Sequence, residues 1–200
     1  MQRLLPTINI FLLSISIVLI LSSFINKSSC VKTPDGRAID WQKKIKLTRD
    51  NFKATKKWNY GNSVASTYSG FGYEITDNDG EISGSIFVRF YCGKSWFSPK
   101  IKESDKITYI LQHEQLHFDI CELFGRKLHK EIVELINSNK FNQRTVDRIQ
   151  ANLEKQYSYY QKAYDKETNH SINTTEQHKW NNKIKMELSD LSNYSDYQNF

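Results

Sequence analysis

Five residues, His113-Glu114-Gln115-Leu116-His117, constrain this chain more than any other stretch. Histidines four apart share one face of an α-helix, where both imidazoles can reach a single metal ion. The carboxylate that follows the first histidine has the place of a general base acting on a metal-activated water. Any fold of this chain must therefore keep the segment helical and turn its histidine face toward a protected site.

The faces of that helix follow from its geometry. At about 100° per residue with His113 at zero, His117 falls near 40°, Ile120 near −20° and Phe124 near 20°. Ile107, Ile110, Leu111, Phe118, Cys121, Leu128 and Ile132 form an apolar stripe at about 60–160°, and Glu114 lies within it. Gln112, Gln115, Asp119, Glu122, Arg126 and Lys130 share the remaining arc. It reads as a solvated face, with Glu122 and Arg126 an i,i+4 pair. Asp119 and Glu122 point away from both histidines, and His129 is also off their face. A metzincin continuation needs glycine at 120 and histidine at 123, so Ile120 and Leu123 exclude it. A break at Gly125 would return Glu131 or Glu134 toward a metal, but the apolar period runs on through Leu128 and Ile132. A third ligand is expected from beyond residue 140.

The rest of the chain supplies a setting for this helix. Residues 28–40, with Pro34 and Gly36, read as a linker, and residues 41–52 as a strand and turn. Residues 64–75 favour a strand, and Asp77-Asn78-Asp79-Gly80 is a turn signal. Ile82, Gly84, Ile86, Val88, Phe90 and Cys92 then alternate, which makes an antiparallel hairpin with one buried face. Residues 93–99 read as a loop, and Ser104 or Asp105 as the cap of the histidine helix. Val146, Ile149, Leu153, Tyr157, Tyr160 and Tyr164 recur at helical spacing, so a second helix is expected over 145–164. Residues 165–173 read as a loop. Asn173 with Glu176 is a capping signature, opening a third helix with Trp180, Ile184, Leu188 and Leu191 on its apolar side. The expected architecture is α+β: a small antiparallel sheet in the N-terminal half, packed on the buried histidine helix and two further C-terminal helices. Residues 31–191 form its single domain, with 192–200 as a flexible tail.

Composition limits the partners. The net charge of +6 comes from scattered lysines. With no arginine-rich arm and no zinc-finger spacing, nucleic acid is not an expected partner. Arg3 followed by an uncharged apolar stretch over 4–26 has the form of an export signal or an N-terminal membrane anchor, so residues 1–30 are assigned to a leader and linker. The protein is expected to be secreted, periplasmic or anchored, with any membrane contact made through that segment. Of three cysteines, Cys92 and Cys121 could pair after export, leaving Cys30 in the leader or linker; two buried thiols are the alternative.

The segments 95–96, 113–126 and 164–170, followed by Gln177 and Trp180, resemble a family of bacterial domains of unknown function described as predicted secreted zinc-dependent proteases. Trp41 and residues 65–70 fit it more loosely. The resemblance implies a zincin-like fold with Zn2+ held by His113 and His117, Glu114 as base, and His170 as third ligand; without it, Glu131, Glu134 and His178 stay open. The family carries glycine where this chain has Ser171, so a φ > 0 there would strain the backbone. Tyr164 and His178 are the candidates for stabilising an oxyanion or donating a proton. The expected activity is that of a zinc metallopeptidase or related amide hydrolase acting on a peptide, a protein or a cell-envelope amide. The alternative is a metal-binding or structural module of the cell envelope without turnover.

Overall fold

The computed structural model describes residues 29–55 and 63–200. The expected leader falls almost wholly outside those residues. Among the described residues no helix is long and apolar enough to cross a membrane.

The architecture is α+β, with a small antiparallel sheet and three helices. Strands β1 (Val31–Thr33), β2 (Gly36–Asp40), β4 (Ser69–Asn78) and β5 (Glu81–Tyr91) form one sheet in the order β1-β2-β5-β4. Two short strands, β3 (Ala65–Ser66) and β6 (Trp96–Phe97), pair beside it. The hairpin joining β4 to β5 turns through Asp79 and Gly80, both at positive φ. That is the two-residue connection whose twist matches the strands it joins. The alternation in β5 puts Ile86, Val88 and Phe90 inside.

Helix α1 (Ser104–Asn137) crosses the buried face of this sheet without a break. Gly125 permits the closest contact: a Cβ there would lie 2.4 Å from Val88 Cγ2. Gly125→Ala gains helix propensity, but the added methyl forces helix and sheet apart. A net loss of about 1–3 kcal/mol is expected, read as a lower thermal unfolding midpoint. Helices α2 (Gln143–Thr168) and α3 (Thr174–Asp190) pack on α1 and on each other. Asn142 and Asn173 cap them by accepting from the backbone N–H groups of Thr145 and Glu176.

Four expectations are corrected. The segment expected to be a linker is a β-hairpin, joined to β5 through Ala38 opposite Tyr91 and fastened by a Cys30–Cys92 disulfide. Cys121 is free and buried, so Cys92 does not pair with it. Most of the polar arc of α1 is not solvated either. Gln115 accepts from the Leu47 backbone N–H, and Asp119 accepts from Trp41 Nε1 and Gln115 Nε2. Glu122 is fully buried and accepts from Arg126 and Tyr197, while Arg126 also donates to the Leu188 carbonyl. Burial pushes the Glu122 carboxyl up to about 7 against those hydrogen bonds. A helix projection assigns residues to an arc but cannot say which other segments cover it. Here the covers are residues 41–47 and the last residues of the chain. Those last residues, expected to fray, dock on β5 through paired Gly84–Phe200 backbone hydrogen bonds and bury Tyr197.

Candidate metal centre

One turn of α1 presents His113 and His117 to the last turns of α2. Helix α2, expected to end at residue 164, continues through Thr168. Gln161 and Asp165, four apart, therefore face α1 beside Tyr157 and Tyr164. Asp165 Oδ1 lies 3.2 Å from His113 Nε2 and 3.1 Å from His117 Nε2, and the two Nε2 atoms are 3.2 Å apart. Among the described residues these three side chains form a group whose ligating atoms all lie within 4.8 Å of one another.

The other ring nitrogens fix what those atoms are. His113 Nδ1 lies 2.9 Å from Gln177 Oε1, and His117 Nδ1 meets Gln161 Oε1. Each glutamine is oriented by its own amide: Gln161 Nε2 donates to the His117 carbonyl and Gln177 Nε2 to Asn181 Oδ1. An amide oxygen only accepts, so each Nδ1 carries the hydrogen and, when the ring is neutral, each Nε2 presents a lone pair. Two lone pairs and a carboxylate oxygen thus converge at 3.1–3.2 Å. Three acceptors that close repel unless a cation sits among them. Ligands of a tetrahedral zinc at about 2.0–2.1 Å are themselves about 3.3–3.4 Å apart, so the residues present fit such an ion.

A proton is the competing cation. Burial opposes protonation of His117, but the Asp165 carboxylate, helped by Glu114 and Gln161, pushes that imidazole up to about 9. Burial would raise Asp165, yet the two imidazoles beside it, His113 and His117, hold it far below the ordinary carboxylate range. Below pH 9 the metal-free protein therefore keeps a proton that a metal must displace. A metal ion bound here at pH 7 would release about one proton, and its affinity would fall as the pH drops. Calorimetry in buffers of different ionisation enthalpy measures that release.

The other expected residues are placed as follows. Glu114 is buried beside the trio, and its Oε2 has no hydrogen-bond partner among the described residues. His170 sits just past the end of α2 with its side chain 62% exposed, Nδ1 3.5 Å from Asp165 Oδ1 but outside the three-residue group. Asn169, His170 and Ser171 all have positive φ, so Ser171 does occupy a backbone position suited to glycine. Tyr164 is fully buried and stacks on the His113 ring, with its hydroxyl committed to Gln177 and the His113 carbonyl. It is not among the residues that line the cleft. His178 is exposed on α3 and does not line the cleft. Neither Glu131 nor Glu134 belongs to the group. No part in the site is expected from the sequence for Asp165, Gln161 or Gln177, although Asp165 and Gln177 lie in the segments that carry the resemblance.

A cleft of about 980 Å³ opens onto the trio. Its walls are residues 63–69 around β3, the N-terminal turns of α1 and the turn after α2. Thr67 ties the first wall to α1 by donating from Oγ1 to the Glu114 carbonyl.

Residues 99–171 match the model of a family described as a bacterial protein of unknown function (DUF922). The matched span carries His113, Glu114, His117, Asp165 and His170. No curated protein and no solved structure matches the chain.

Proposed function

We propose that the chain is an exported zinc-dependent metallopeptidase, or a related amide hydrolase, of zincin-like design. The observation that carries this reading is the convergence of His113 Nε2, His117 Nε2 and Asp165 Oδ1 at 3.1–3.2 Å beside buried Glu114, whose Oε2 has no hydrogen-bond partner among the described residues. His113, His117 and Asp165 would hold the metal, with Gln177 and Gln161 orienting the two rings. A zinc ion there supplies Lewis acidity, acidifying a water and polarising a carbonyl.

The remaining chemistry falls to the chain itself. Glu114 accepts the proton of the attacking water and returns it to the departing amine. Tyr164 keeps the His113 ring in place through its stacked face, and the surrounding core keeps bulk water away from Glu114. His170, at the rim and next to Asp165, would approach a substrate or the metal. The Cys30–Cys92 disulfide favours an oxidising compartment, in keeping with the apolar leader.

The test is zinc-dependent hydrolysis of fluorescein-labelled casein. A chelator should abolish it and added zinc should restore it. Bound zinc without hydrolysis would favour the non-catalytic envelope module instead.

A further inference from the structure

The cleft is not uniform along its length. Its lining includes three aliphatic side chains, Val64, Ile101 and Ile110, the last on α1 just before His113. Ile110 precedes His113 by one turn, so this wall starts within about 5 Å of the histidine along the helix axis. Ile172, in the turn after α2 that also lines the cleft, is 73% exposed although it is a large apolar residue. The same lining contains two hydroxyls, Ser66 Oγ and Tyr109 OH, that are buried without a hydrogen-bond partner among the described residues.

Those two kinds of observation point to one ligand chemistry. Aliphatic walls want an apolar side chain. Orphaned hydroxyls want the amide N–H or carbonyl of a backbone, because a buried polar group without a partner costs free energy that a ligand can recover. A lipid chain would satisfy the walls and leave the hydroxyls unpaired, and a glycan would do the reverse. We infer that this end of the cleft is a subsite for a peptide residue with a bulky apolar side chain, set next to the bond that is cut. The inference rests on the metallopeptidase reading and narrows its substrates to polypeptides that carry such a residue.

Two hydroxamates test the subsite without requiring turnover. Acetohydroxamate reports the metal alone, whereas 3-phenylpropionohydroxamate adds a benzyl group that reaches the subsite. Calorimetry on the zinc-loaded full chain should give about 10–100-fold tighter binding for the second. Ile101→Asp and the exposed-site variant Ile172→Asp should shrink that ratio toward one and leave acetohydroxamate affinity unchanged. Ile172→Asp cannot act by unfolding the core. Sites of casein cleavage, read by mass spectrometry, should carry Leu, Ile, Phe or Met on one side of the cut. Equal binding of the two hydroxamates, an unaltered ratio in both variants, or cut sites with no apolar preference would each overturn the subsite and leave the metal site standing. Failure of both hydroxamates to bind zinc-loaded protein would overturn the metal-site reading itself.

Discussion

Glu114→Gln is expected to lower hydrolysis of labelled casein by about 10²–10⁴-fold with zinc content unchanged. The expectation follows from where the side chain sits. Its Oε2 is buried and takes no hydrogen bond among the described residues, yet the residue borders the cleft that opens onto the trio. An Oε2 so placed has no hydrogen bond among the described residues to lose on substitution. The amide of glutamine preserves shape and neutral packing but cannot accept and return a proton. The metal should remain because Glu114 is not in the three-residue group. A variant that loses zinc would show that Glu114 supports the site mechanically, and one with full activity would remove it from the chemistry.

Asp165→Ala carries the second large effect. Zinc affinity should fall by about 10²-fold or more, since structural zinc sites draw roughly 3 kcal/mol from each of their ligands. The metal-free variant should stay folded. Asp165 is on the last turns of α2 with its side chain 33% exposed, and its removal leaves no packed hydrophobic contact behind. The same change removes the carboxylate that raises His117, so the proton released on zinc binding at pH 7 should drop below the wild-type value. His170→Ala should weaken zinc less, because that ring is mostly exposed and outside the three-residue group. Metal titration of the two variants side by side decides between the residues.

The contrast between Asp165 and the histidines shows what could be read from the chain alone. His113, Glu114 and His117 lie within one helical turn, so their mutual placement is set by local geometry. Asp165 reaches them only because α2 folds back across α1, and it sits where a polar, irregular stretch looks like a loop. A signal was available: Gln161 and Asp165 are four apart and continue the face begun by Tyr157. Gln177 could likewise be found three residues before Trp180, on the buried side of α3. The β4–β5 hairpin was legible because Asp79-Gly80 and the strict alternation of β5 act locally. The Cys30–Cys92 bridge and the buried Glu122–Arg126–Tyr197 contact were not, since both depend on which distant segments come to cover a strand or a helix face.

Anomalous diffraction at the zinc edge, from crystals of zinc-loaded protein, addresses the central claim most directly. One peak should appear within bonding distance, about 2.0–2.2 Å, of His113 Nε2, His117 Nε2 and Asp165 Oδ1 together. No peak at that position, or a zinc bound by the two histidines and His170 with Asp165 turned away, would contradict the ligand set proposed for this chain.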